Sequence, residues 1–204
     1  MEINNIGAVI LAAGKSTRQN GFKPLLPIGD KKVLEHCLHL FKDKGLSDIL
    51  VVLGHRADEL RPIVHALDVK AVFNPDFEQG MFSSVQAGVA ALRPSTQAFF
   101  LLPVDIPLVR SLSLDCLLQE LTKNYEADAL IPAFKNKTGH PPLIRESLKP
   151  KILQHDGSQG LRGVLDKALT INVEIPDQHI LIDIDTPEQY QKALRLYENY
   201  NLPA

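Results

Sequence analysis

The stretch IGAVILAAGKSTRQNGFK, residues 6 to 23, decides the fold. Its first part, Ile6 to Ala12, is an unbroken apolar run and predicts a strand buried on both faces. The run breaks at Gly14 into Lys15, Ser16, Thr17, Arg18, Gly21 and Lys23. A glycine lets backbone N–H groups approach a ligand closely, and three cations in one loop suit a phosphate chain. The loop has neither the G-x-x-x-x-G-K-[ST] spacing of a P-loop nor the G-x-G-x-x-G of a dinucleotide fold. Taken alone, it reads equally as a solvated basic loop after a strand.

Outward from it, strand and helix signals alternate. Apolar residues at Val33, Leu34, Cys37, Leu38 and Phe41 predict a helix over 32–44 that Gly45 stops. Ile49–Leu53 predicts a strand, Ala57–Leu67 a helix, Lys70–Phe73 a strand and Met81–Leu92 a helix. Ala98–Val104, the most apolar run, predicts the next strand, and Leu112–Leu121 the next helix. This order predicts an α/β fold with a mostly parallel sheet covered on both faces. After residue 125 the pattern changes. Ala129–Ala133 and Pro142–Ile144 flank a hairpin-like excursion at 135–140. A helix over Leu161–Leu169, strands at Ile171–Ile175 and Ile180–Ile184, and a last helix from Thr186-Pro187 to about Tyr197 follow. With 204 residues and no linker, residues 1–204 are expected to form one domain, with residues 125 to 180 a half built onto the same sheet.

Composition excludes several classes. A net charge of −2 gives no basic field for nucleic acid. No apolar run reaches the ~18 residues of a membrane span. The N-terminal MEINNIG lacks the basic region of a signal peptide, so a cytoplasmic location is expected. Cys37 and Cys116 sit among leucines and read as core residues rather than a disulfide or metal pair.

Parallel α/β sheets bind ligands at the carboxyl ends of their strands, and three polar clusters fall there. One is the opening loop. The second holds Asp105, directly after the most apolar strand, where it serves as a cap or as a Mg²⁺ ligand beside phosphates. The third is Asp183-Ile184-Asp185; alternation along a strand would put both carboxylates on one side, with one joining Asp105, or Asp185 caps the last helix. Asn74 to Ser84 ends at a helix start, where Ser83 or Ser84 can cap. Thr138 to Pro142 carries His140. His155 to Arg162 runs into another helix start, which can attract an anion. His36, His39, His55, His65 and His179 lack metal-ligand spacing and read as structural.

Together these stretches resemble a known family. Leu11 to Arg18 with Lys23 is similar to the L-A-[AG]-G-x-S-x-R…K pattern of the NTP-transferase family. The ordered set AVILAAGKSTR, NPDFEQGMFSSVQAG, PVDIPLV, GHPPLI, DGSQGLRGVL and DIDTP resembles its molybdenum cofactor cytidylyltransferase branch, over about residues 7 to 190. The resemblance implies a Rossmann-like three-layer α/β/α fold, with a nucleotide-binding half over 1–124 and an acceptor-binding half over 125–204. It implies Mg²⁺-dependent transfer of CMP from CTP to the phosphate of molybdenum-molybdopterin, with release of diphosphate, and a molybdenum hydroxylase as a possible recipient of the product. On it, Leu11, Ala12, Ala13, Gly14, Lys15, Ser16, Lys23, Asn74, Gly80, Ser83 and Ser84 bind the nucleotide. Arg18, Lys23 and Asp105 are catalytic, Asp105 and Asp185 hold the metal, and His140, Asp156 and Arg162 face the acceptor. An ionised phosphate acceptor needs no general base. Ala13 bears on the base, since guanylyl-transferring relatives tend to carry L-A-G-G and cytidylyl-transferring ones L-A-A-G. The chain departs from the pattern at Pro103-Val104-Asp105-Ile106-Pro107, where Gly-Asp-x-Pro is common: Asp105 keeps its place, but Pro103 removes a donor and stiffens the approach. It departs also at Asn20, where glycine is common. The alternatives are a nucleotidyltransferase acting on a sugar or polyol phosphate, and a non-catalytic nucleotide- or cofactor-binding partner of a molybdenum enzyme.

Overall fold

The computed structural model describes residues 3 to 201. Its sheet is built from β1 (Ile6–Ala12), β4 (Asp48–Leu53), β5 (Lys70–Phe73), β6 (Ala98–Pro103), β7 (Ala129–Phe134), β8 (Lys137–Thr138), β9 (Leu143–Arg145) and β10 (Thr170–Glu174). A separate two-residue hairpin, β2 (Pro27–Ile28) with β3 (Lys31–Lys32), follows the opening loop. The spatial order is β10-β7-β9-β6-β1-β4-β5, with β8 paired to β7. Only β9 and β8 run antiparallel to their neighbours in this sheet. The mostly parallel sheet and the β excursion of the second half are therefore both present.

The apolar runs of β1, β4 and β6 follow from burial on both faces, since every residue of all three is buried. Val9, Leu11, Leu50, Val52, Phe99 and Leu101 point to one layer of helices: α3 (Met81–Ala91), α5 (Lys149–Gln154) and α6 (Gly160–Leu165). Ala8, Ile10, Val51, Leu53, Phe100 and Leu102 face the other layer: α1 (Val33–Lys42), α2 (Ala57–Ala66), α4 (Ser111–Lys123) and α7 (Pro187–Asn201). This is the three-layer α/β/α arrangement. Gly88 sets how closely α3 lies on the sheet. A Cβ there would stand 2.4 Å from Val9 Cγ1 and 2.9 Å from Val52 Cγ2, both on stiff β-branched side chains. Gly88→Ala is expected to lower unfolding free energy by about 1–3 kcal/mol, read as a shift of the urea midpoint at constant m-value.

Several predicted elements differ. Ile180–Ile184 is not a strand. A short 3-10 turn covers Gln178–Leu181 and irregular chain runs on to Thr186. Its backbone is engaged by loops instead of a ladder: His140 N–H donates to Ile180 C=O and Ile184 N–H to Asp105 C=O. The helix expected over Leu161–Leu169 stops at Leu165, and the last helix continues to Asn201. Thr186 begins that helix with a capping box: its Oγ1 accepts from Gln189 N–H at 3.3 Å, and Gln189 Oε1 accepts from Thr186 N–H at 2.8 Å. Helix α5 was hidden in the sequence by Pro150, which its first turn tolerates. Cys37 is buried, Cys116 is partly buried against the core, and both are free thiols. Among the described residues no helix is long and apolar enough to cross a membrane.

The chain leaves β1 toward β4 on one side, while β6 lies on the other. The loops after β1 and β6 therefore part at this switch point and leave a crevice at the strand ends.

Candidate active site

Three parts of the chain meet at one buried lysine in that crevice. Lys23 is 8% exposed and opens a 3-10 turn, Lys23–Leu25. Its backbone N–H donates to Ser16 Oγ at 3.1 Å, closing the opening loop on itself. Its Nζ lies 3.3 Å from Asp105 Oδ2, past the end of β6, and in close contact with Asp185 Oδ1. Arg18, mostly exposed, reaches the other oxygen of Asp185 at 2.6 Å. The two carboxylates respond oppositely. Burial pushes the Asp105 carboxyl above the usual range against the pull of Lys23, with Asp185 adding repulsion. The hydrogen bond from Lys23 holds the Asp185 carboxyl below it. Asp183 does not join them, because Gln189 Nε2 ties its Oδ1 to α7. With no strand over 182–186, alternation does not set both carboxylates on one side.

A cavity of about 270 Å³ opens beside this cluster. The first loop contributes Leu11, Ala13, Gly14, Ser16 and Lys23, the second Gly80 and Ser84, and the β6 end Asp105. Ala12 does not line it; its methyl packs into the core on the opposite face of the sheet. Lys15 turns outward and pairs with Glu78. Asn74 is buried beneath the cavity and acts as a strut. Its Nδ2 donates to Ser83 Oγ at 2.9 Å and Ser84 Oγ at 3.0 Å, and its Oδ1 accepts from Asp76 N–H at 2.9 Å. Neither serine caps α3. Gly80 holds that position at φ 106°, a conformation that favours glycine. Ser83 Oγ instead reaches Asp76 and Gly80 carbonyls.

Pro24, Pro103 and Val104 also line the cavity without having been candidates, and the larger residues that escaped the sequence reading are Phe77 and Met81. Their signal was a large apolar residue on each side of Gly80 in a polar loop, with Met81 left largely exposed. Gly54 fixes the wall: a Cβ there would come within 2.7 Å of Phe77 and 2.9 Å of Ala13 Cβ.

His140 and Arg162 line a second cavity of about 520 Å³, with Thr138, Leu161 and Asn172. Burial keeps the His140 imidazole below its ordinary pKa, although the Asp105 charge favours its protonated form. Its Nδ1 is buried without a hydrogen-bond partner among the described residues. Asp156 is not in this wall; it is exposed and accepts from Ser158 N–H at 2.9 Å. Helix α6, whose start the sequence marks as able to attract an anion, spans six residues, and Arg162 of its first turn lines this cavity.

The loop from Asp105 to α4 is held from below by Asp177, which is 1% exposed. Its Oδ2 accepts from Arg110 N–H at 3.1 Å and Ser113 Oγ at 2.7 Å, and its Oδ1 lies 2.6 Å from His179 Nδ1. Burial works against the charge, but the donors from His179 and Ser113 outweigh it and the pKa falls below 3.8. A depressed carboxylate contributes stability that is present above the unfolded value and lost as pH falls through the folded one. Asp177→Asn is expected to cost about 2 kcal/mol at pH 7, a deficit that shrinks below about pH 4, measured by denaturant unfolding at several pH values. Two of the other histidines pack within the fold: His36 Nε2 sits 2.8 Å from Ile28 C=O, and His55 lies edge-on to Phe22. No group of three or more His, Cys, Asp or Glu among the described residues is placed to hold a metal.

Comparison with known proteins places this arrangement. Residues 8–172 match the model of the MobA-like NTP transferase domain. The chain is 28% identical over 193 residues to the molybdenum cofactor cytidylyltransferase of Escherichia coli K12, covering 94% of this chain and 97% of that one. Among solved structures, a homolog of Mycobacterium tuberculosis rv0371c from Mycobacterium sp. strain JC1 superposes with a TM-score of 0.82 at 22% identity, over 97% of this chain and 99% of the other. Rv0371C of Mycobacterium tuberculosis H37Rv in complex with manganese gives 0.75 at 21% identity, over 93% and 98%. With the family match spanning most of its length, the chain belongs to the MobA-like NTP transferase domain family and is a nucleotidyltransferase.

Proposed function

We propose that this nucleotidyltransferase transfers CMP from CTP to the phosphate of molybdenum-molybdopterin. The observation that carries the reading is the convergence of Lys23, Asp105 and Asp185 at the floor of the β1–β6 crevice, beside a cavity walled by Ala13 and Phe77. The E. coli relative supports the acceptor and the base. So does the Ala13 methyl, which narrows the base end toward a pyrimidine.

The residues fit a divalent cation. Two carboxylates already converge on a single cation, the Lys23 ammonium, and Asp105 and Asp185 offer the hard oxygens that Mg²⁺ or Mn²⁺ prefers alongside substrate phosphates. The manganese-bound mycobacterial neighbour is consistent with this. Held by Asp105 and Asp185, such an ion would supply positive charge to the triphosphate. Lys23 and Arg18 would face phosphate oxygens, and Gly14 lines the same cavity edge. Phe77, Gly80 and Ser84 bound the base and ribose, and His140 and Arg162 the acceptor. An oxygen of the acceptor phosphate attacks the α-phosphorus, the bond from that phosphorus to the β-bridging oxygen breaks, and diphosphate leaves with the electron pair. The ionised acceptor brings its own nucleophile, so the chain's work is alignment and charge neutralisation.

A panel of CTP, GTP and ATP against molybdenum-molybdopterin, sugar phosphates and polyol phosphates, scored by diphosphate release, tests the reading. CTP with molybdenum-molybdopterin is expected to turn over fastest. Faster turnover with a sugar or polyol phosphate would replace the acceptor, and CTP binding without release would favour a non-catalytic role.

A further inference from the structure

Asp185 lies far along the chain from the loop it serves, on a segment with no regular structure. Something must hold its carboxylate against Lys23 and Asp105. Two anchors are backbone or helix features: Ile184 N–H donates to Asp105 C=O at 3.0 Å, and the capping box at Thr186 fixes the start of α7. The third is a side chain. Gln19 Nε2 donates to the C=O of Ile184 and to the C=O of Thr186, each at 3.1 Å. These are the carbonyls on either side of Asp185. The amide cannot turn over without loss, because its Oε1 accepts from Asn20 N–H at 3.0 Å. The turn presenting Gln19 is itself closed by Gln19 N–H to Ser16 C=O at 3.2 Å and Gly21 N–H to Gln19 C=O at 2.9 Å. Both amide hydrogens and the amide oxygen are thus used, and no other uncharged side chain of this length supplies two donors and an acceptor.

We infer that Gln19 is a positioning residue for Asp185, clamping the segment around it to the opening loop so that the carboxylate meets Asp105 at one cation. Gln19 touches neither carboxylate and acts through the backbone it grips. This rests on the reading of Asp105 and Asp185 as the metal pair. Supporting groups around a metal ligand typically change affinity by about 10–100-fold when removed.

The test is Mn²⁺ binding to the full chain with CTP present, read as free Mn²⁺ by electron paramagnetic resonance, together with the Mg²⁺ concentration for half-maximal turnover. Gln19→Met keeps the length of the side chain and removes both donors; Gln19→Ala removes the side chain. Both are expected to weaken Mn²⁺ binding about tenfold and to raise the Mg²⁺ half-saturation to match. Their turnover at saturating metal is expected within about twofold of wild type, and their melting temperature within about 2 °C, since the loop is partly exposed. Wild-type Mn²⁺ affinity in Gln19→Met would overturn the inference. Asp185→Ala separates the two levels: if it binds Mn²⁺ like wild type, the metal assignment itself fails. Weakened binding in Asp185→Ala with normal binding in Gln19→Met would sink the role of Gln19 alone.

Discussion

Asp105→Ala is expected to lose transfer by about three orders of magnitude while keeping its fold, the larger of the two main effects. Asp105 stands at the end of the most apolar strand, next to the crevice, and its charge is already disfavoured by burial. Removing it leaves no orphaned ion, because Lys23 keeps Asp185 as a partner. Stability therefore stays near wild type, and the loss falls on metal and triphosphate alignment. The check is diphosphate release at saturating Mg²⁺ beside a thermal melt. Unchanged turnover would remove Asp105 from the metal site, and an unfolded variant would make it a structural residue.

Lys23→Ala is expected to fail differently. Lys23 is the buried cation between two carboxylates, so its removal leaves Asp105 and Asp185 facing each other with only the exposed Arg18 nearby. Destabilisation of about 2–3 kcal/mol at neutral pH is expected, less than for a dry pair because both carboxylates keep some water. The sign with pH follows from Asp185, whose pKa Lys23 lowers. That contribution is present above about pH 4 and lost in acid, so the gap between variant and wild type is widest at neutral pH and closes as pH falls. Added Mg²⁺ is expected to restore much of the melting temperature by replacing the missing charge, while CTP affinity remains about 10–100-fold weaker. Denaturant unfolding over pH, with and without Mg²⁺, reads the first effect, and equilibrium CTP binding the second. An unaltered CTP dissociation constant would exclude Lys23 from the triphosphate site.

Much of this arrangement was legible in the residues. β1, β4 and β6 are continuous apolar runs because both faces are covered, and that fixed the parallel core and the carboxyl-end rule for the site. The cations of the opening loop and Asp105 were identifiable by type and place. Their pairing was not, because Lys23 meets Asp105 across 82 residues and Asp185 across 162, and no local pattern encodes such contacts. Ile180, Ile182 and Ile184 alternate like a strand, yet their backbone is spent on His140 and Asp105, so the alternation misled. Asn74 and Ser83 carried groups suited to a ligand but bond to each other and to the loop. Lys15 and Asp156 likewise sit outside the cavities, satisfied by Glu78 and Ser158. Phe77 and Met81 were missed because apolar residues in a polar loop look like packing until the cavity beside them is visible.

The proposed transfer of a cytidylyl group to a molybdopterin phosphate is tested most directly by the ratio of kcat/KM for CTP to that for GTP with molybdenum-molybdopterin as acceptor, with the product identified by mass. A ratio well above one, with molybdopterin cytosine dinucleotide as product, is the predicted result. Equal or greater efficiency with GTP, or diphosphate release without the cytosine dinucleotide, would contradict it.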